Sequence, residues 1–365
     1  MIINIQFLRA WAALAVVFFH IRTHIVDLPG ITGVFYDFLY QFGYAGVDVF
    51  FVISGYVIWI SSKNKQDHTA NKKSLHFIFN RSARIYLGYW PYFVFTLIMY
   101  SYLAPSRLEG IDLIGSALLT KYHLPQLLIQ VTWTLIFEMY FYVFFACLLF
   151  IPRRYIPKLL LFFALFIVVV QLYSILKHDI YSPENLNHMG LFLAFFTSPL
   201  CLQFLAGCGL GLYFERHRLK YLKTASVLAI GVFAFTFWYQ KTYLLPNHML
   251  SQGYFMPERA ILFGVFATLL VAIAVEVELR GKQWWPKFSK LIGGASYSLY
   301  LAHMPLLFLV MYFGVFDFAR TQSLLWLAPW SVLAGIMIYS VAHYLYIEKP
   351  LLNQAKKVER SFFSQ

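Results

Sequence analysis

The chain has 365 residues, of which 60% are hydrophobic, 20% aromatic and only 12% charged. Soluble domains carry about 25% charged residues and about 45–50% apolar ones, so a soluble globular protein is excluded. The net charge of +13 reads as membrane topology, because the basic residues gather in alternate loops, and not as affinity for nucleic acid.

The apolar runs are of bilayer length, about 20 residues each. They predict an all-α integral membrane protein with ten transmembrane helices near 5–23, 41–61, 88–104, 131–150, 159–176, 191–213, 224–242, 257–275, 290–312 and 325–347. The first run has no basic leader, so it is expected to be a span and not a cleaved signal peptide. The loops at 61–88, 151–158, 214–224, 276–290 and 347–365 hold 21 Lys and Arg, against 6 in the other set. By the positive-inside rule both termini are cytoplasmic. Cys147, Cys201 and Cys208 are odd in number and lie in apolar runs. They suggest neither a disulfide framework nor a metal site. No P-loop, GxGxxG or fixed-period repeat is present.

The first span, "RAWAALAVVFFH", carries Arg9 and His20. Eleven positions are three helical turns plus roughly 20°, so both lie on one face, about 16 Å apart along the axis. Ionisable groups in a span are functional by default, although Arg9 could snorkel to lipid phosphate and His20 could serve a helix contact. The second span, "YAGVDVFFVISGYVIW", places Asp48 near a helix N-terminus, where it complements the dipole. It also places Ser54 and Gly55 where small residues allow close packing. The loop 61–86 begins polar, and its second half, "SLHFIFNRSARIY", predicts a short amphipathic helix at the interface. Arg81 and Arg84, one turn apart, are either interface anchors or a phosphate clamp. The segment 104–130 is long and partly apolar, as a stretch dipping back toward the membrane would be. Glu138 stands in the fourth span among apolar and aromatic neighbours. There a carboxylate must take a proton or find a cation or His. In the ninth span, His303 precedes Pro305, which frees backbone carbonyls that the imidazole could satisfy. The tail 351–365 reads as a short basic cytoplasmic anchor to anionic lipid.

Taken together, "FLRAWAALAVVFFH", "GVDVFFVISGYVI", "RSARIY", "WTLIFEMYFY", "SYSLYLAHMP" and "YIEKP" resemble, in order, the acyltransferase-3 family of bacterial inner-membrane proteins. The opening is most similar to the exopolysaccharide- and lipopolysaccharide-modifying branch. The resemblance implies one membrane domain over 1–350, without the SGNH domain that many relatives append. It implies O-acylation, usually O-acetylation, of a cell-surface or lipid-linked saccharide. The acyl group comes from cytoplasmic acyl-CoA (acetyl-CoA) as a co-substrate, with no permanently bound cofactor and no metal. It maps the family's Arg-x10-His onto Arg9 and His20, Arg-x-x-Arg onto Arg81 and Arg84, and its acidic position onto Glu138. On this reading His20 is the general base, Arg9 and Glu138 complete the catalytic group, and Arg81 and Arg84 hold the donor phosphates. Asp48, Ser54, Trp133, Tyr142, Tyr300 and His303 are supporting candidates. The expected partners are acyl-CoA, a saccharide acceptor and membrane lipid. The competing class is a transporter or flippase of a lipid-linked saccharide, which would also need Arg, His and Glu in a polar path.

Overall fold

A computed structural model describes residues 2–25, 42–62, 69–121, 123–177, 193, 195–244 and 257–363. Among them no strand occurs. In hydrocarbon each backbone N–H and C=O must be satisfied within its own segment, which a helix does and an open strand does not. The main helices are α1 (Ile3–Ile25), α2 (Gly46–Ser61), α3 (Ala70–Leu103), α4 (Leu113–Ala117), α5 (Trp133–Leu148), α6 (Ile156–Lys177) and α7 (Cys201–Arg216). They continue with α8 (Leu222–Tyr239), α9 (Pro257–Leu279), α10 (Pro286–Gly294), α11 (Ser296–Tyr312), α12 (Val315–Thr321), α13 (Ala328–His343) and α14 (Lys349–Phe363).

Among the described residues, seven helices are long and apolar enough to cross a membrane. The pair α10 and α11, bent by 52° at Ala295, passes the same test only together, as a broken span or a re-entrant loop would. The helices over the two remaining expected spans differ from that pattern. Helix α7 has 16 residues, and the 34 residues of α3 carry cations through their first half. Helix α3 also corrects the expected short interfacial helix. The stretch from Leu75 to Tyr86 is the first half of one continuous helix. Pro91 lies inside it and is tolerated, as prolines in membrane helices are.

The chain forms two compact units. The first comprises residues 1–8, 47–74 and 144–286. Its helix α6 leaves Leu161, Phe162, Leu165 and Val169 exposed, as a lipid-facing surface would. Between apolar helices in lipid, close packing and hydrogen bonds decide association, and this unit shows both. Gly55 of α2 lies against the backbone of Phe204 on α7 with no room for a Cβ. Asp48 accepts a hydrogen bond from Gln203 Nε2 at 2.6 Å and lies 3.5 Å from Arg259 Nη2. Glu278 accepts from the backbone N–H groups of Ile3 and Asn4 at 2.9 and 2.7 Å, satisfying two of the orphan donors that start α1.

The second unit comprises residues 9–46, 75–143 and 287–365. Gly43 and Gly46 stand against the Ala15 and Ala12 carbonyls of α1, and a Cβ at either would clash with that backbone. The segment after α3 runs back along it. Tyr86, Tyr89 and Trp90 donate to the carbonyls of Leu118, Ser116 and Ala117 at 2.8, 2.9 and 3.1 Å. Those three side chains lie about 20–26 Å before the end of α3 by helical rise. Helix α14 follows a π-helical turn, Tyr344–Glu348, without interruption and runs across residue 350. Glu359 of α14 pairs with His76 and accepts from Asn80 Nδ2 at 2.9 Å, so this tail is tied to α3.

Candidate active site

The polar side chains that stand out in the sequence come together inside the second unit at two levels. The first level is cationic. Arg9 is half-buried on α1, and its Nε is buried with no hydrogen-bond partner among the described residues. Its electrostatic neighbours are Arg84, Glu138, Glu348 and Tyr142. Arg81, one turn before Arg84, has its guanidinium carbon 5.6 Å from the Phe77 ring centroid and 5.7 Å from that of Tyr142, within cation–π range. Its neighbours also include Arg84 and Glu138. Tyr142 on α5 is buried one turn after Glu138 and is coupled to all three arginines and to Glu138. Tyr297 of α11 donates to the Ile85 carbonyl at 2.8 Å and faces Glu138 and Glu348. Gly88 leaves room for that ring, since a Cβ there would meet it.

Three arginines thus meet two carboxylates, Glu138 and Glu348. With both carboxylates ionised, one positive charge remains. Groups withdrawn from water with a charge left over are arranged to receive an anion, and guanidinium forks suit phosphate.

The second level is histidine-rich. His20, toward the end of α1, has its ring centroid 5.0 Å from that of the fully buried His303. Tyr300 lies 5.6 Å from His303 by ring centroids. Its hydroxyl donates to the Val131 carbonyl and stands 3.0 Å from the Thr134 hydroxyl. Trp133 opens α5, with its ring 5.8 Å from Phe137. The two levels lie along shared helices. Arg9 to His20 is about 16 Å along α1, and Tyr297 to His303 about 9 Å along α11.

Two supporting candidates belong elsewhere. Asp48 and Ser54 are part of the first unit, and Asp48 is a buried partner of Gln203 and Arg259. Its first-turn position in α2 fits the dipole argument, but Arg259 is a partner that the sequence analysis did not single out. Glu348 was quoted in "YIEKP" without a role, yet it is buried at the cationic level. Ser298, His343 and Tyr92 were also missed. The only signal for Glu348 was that motif. Among the described residues no group of three or more His, Cys, Asp or Glu side chains is placed to hold a metal ion.

The acyltransferase-3 family model, an acyltransferase domain, matches residues 2–345. The chain belongs to the acyltransferase-3 family. It is 28% identical over 338 residues to the exopolysaccharide production protein ExoZ of Rhizobium meliloti (strain 1021), covering 87% of this chain and 92% of that protein. No solved structure matches it significantly. The chain is therefore a multi-pass membrane acyltransferase, and both levels of the site lie within the matched span except Glu348, three residues beyond it.

Proposed function

We propose that this acyltransferase moves an acyl group, most simply acetyl, from acyl-CoA to a hydroxyl of an exopolysaccharide or its lipid-linked precursor. It does so in the bacterial inner membrane, with both termini in the cytoplasm. The observation that carries this reading is the surplus-cation cluster of Arg9, Arg81 and Arg84, followed along the same helices by His20 and His303. Acyl-CoA is a polyanion at one end and a thioester at the other. The arginines suit the phosphates, and the helical rise from Arg9 to His20 suits a donor whose reactive end enters the bundle. His20 takes the proton of the acceptor hydroxyl as that oxygen attacks the thioester carbonyl; imidazole has a basicity suited to this task near neutral pH. The kinship with ExoZ supports an exopolysaccharide acceptor.

The test is thiol release by the purified protein given acetyl-CoA and a saccharide acceptor. The account expects release that depends on the acceptor, with the acetyl group found on the saccharide by mass spectrometry. A transporter would move the saccharide across vesicles and release no thiol.

A further inference from the structure

Three buried side chains near the end of α13 take no part in the chemistry described so far except through Glu348. Ser298 Oγ lies 2.6 Å from Glu348 Oε2 and 3.0 Å from His343 Nδ1. Ser298 is fully buried, and Glu348 and His343 are 2% and 6% exposed. In an α-helix, residues five apart point about 140° away from each other. The π-helical turn Tyr344–Glu348 closes that angle and lets His343 and Glu348 reach one serine. Such turns recur at functional sites.

A hydroxyl has one proton. The short contact to an ionised carboxylate is its donor bond. Nδ1–H of His343 must then donate to Oγ, which leaves the lone pair on Nε2. If Glu348 is protonated instead, both bonds reverse: Oε2–H donates to Oγ, and Oγ–H donates to Nδ1. The set is consistent in both orientations, which a proton wire requires and a simple helix tie does not. The charged and titratable groups around it are few. The Tyr92 and Tyr339 rings lie 4.4 and 6.1 Å from that of His343. The Tyr92 hydroxyl is buried and faces Ser298. Arg9 and Arg84 act on Glu348, whose charge is in turn felt at Tyr297 and Tyr344.

We propose that Ser298 and His343 are positioning residues for the acyl transfer, forming a proton wire that ends on Glu348 in the field of Arg9 and Arg84. The inference rests on the acyl-transfer reading above. Transfer from a thioester to an alcohol moves one proton from the acceptor hydroxyl to the departing thiolate. A proton arriving at His343 Nε2 releases the Nδ1 proton to Ser298 Oγ, whose own proton passes to Glu348 Oε2. The imidazole is left neutral with its tautomer exchanged, the serine is unchanged, and the carboxylate has become a carboxylic acid. That acid returns its proton through Ser298 Oγ to His343 Nδ1 as the Nε2 proton passes to the thiolate sulfur, which restores the carboxylate, the serine and the starting tautomer.

The experiment is steady-state thiol release from acetyl-CoA with a saccharide acceptor, comparing His343→Asn, Ser298→Ala and Ser298→Thr in the full chain. The Asn side-chain N–H can still donate to Ser298 but cannot pass a proton on. The wire predicts that His343→Asn and Ser298→Ala each lower kcat at least about tenfold, with KM for acetyl-CoA changed less than about threefold. Ser298→Thr, which keeps the hydroxyl, should recover most of the rate. Near-native kcat in His343→Asn, or an effect on KM alone, would overturn the wire and leave a structural hydrogen bond. If Ser298→Ala does not fold, His343→Asn and Ser298→Thr decide. Wild-type protein that releases no thiol would instead overturn the acyl-transfer reading itself, and the wire with it.

Discussion

The two units use buried charge differently. In the first, three buried or half-buried carboxylates meet a cation, although Glu258 Oε2 is buried with no hydrogen-bond partner among the described residues. Asp48 is held by Gln203 and Arg259, and Glu276 by Arg280 and the Leu219 N–H. Glu215 is held by Arg153 at 2.6 Å and Trp59 Nε1 at 2.8 Å, with Arg153 stacked 4.7 Å from the Trp59 ring. In the second, three arginines face two carboxylates, Arg9 Nε lacks a hydrogen-bond partner among the described residues, and two imidazoles lie side by side. A satisfied polar network holds helices together. One with charge left over is poised for a ligand or a reaction. The difference separates architecture from chemistry within one membrane domain, and substitutions should sort accordingly.

The largest effect on stability is expected in the first unit. Asp48→Asn removes the negative charge beside buried Arg259, and breaking a buried pair typically costs about 3–5 kcal/mol. Unfolding of the detergent-solubilised variant should shift down strongly, while acetyl-CoA binding by the folded fraction stays near wild type. A loss of binding without loss of stability would erase the contrast between the units. Next comes Glu138→Gln, which keeps size and removes charge among Arg9, Arg81 and Tyr142. It should fold normally and lose about 10²-fold in turnover, as removal of one preorganised electrostatic partner does. Normal turnover would reduce Glu138 to a packing group. A smaller effect is expected for Arg81→Ala and Arg84→Ala. Each lost charged hydrogen bond to phosphate should cost about 1.5–3 kcal/mol in coenzyme A affinity by calorimetry, with saccharide binding weakened less. Unchanged affinity in both would make them lipid anchors.

The helical membrane architecture was legible because apolar runs of bilayer length announce themselves. Arg9, His20 and Glu138 drew attention because an ionisable residue in such a run is costly, and Arg81 and Arg84 because they stand one turn apart in a motif of the resembled family. Glu348 was not, because it stands at the end of a span beside Lys349 and reads as part of a polar tail. Its burial comes from the π-helical turn and from Ser298, 50 positions away, and neither leaves a periodic signal. The bend between α10 and α11 was equally hidden, since Gly293 and Gly294 alone do not fix an angle. The link from Asp48 to Gln203 and Arg259 spans 155 and 211 residues. Only tertiary packing shows that Asp48 already has its partners. Pro305 drew attention to His303 for its backbone, while the structure sets that ring against His20.

The central claim is that the histidine level performs the transfer while the arginine level holds the donor. His20→Asn tests it most directly, because Asn keeps a polar group of similar reach and loses the basicity. The measurement is thiol release from acetyl-CoA by the purified variant with a competent saccharide acceptor, alongside coenzyme A affinity. The account predicts near-native affinity and a rate lower by about 10²–10⁴-fold, the usual share of a general base. Near-native turnover in His20→Asn would contradict it.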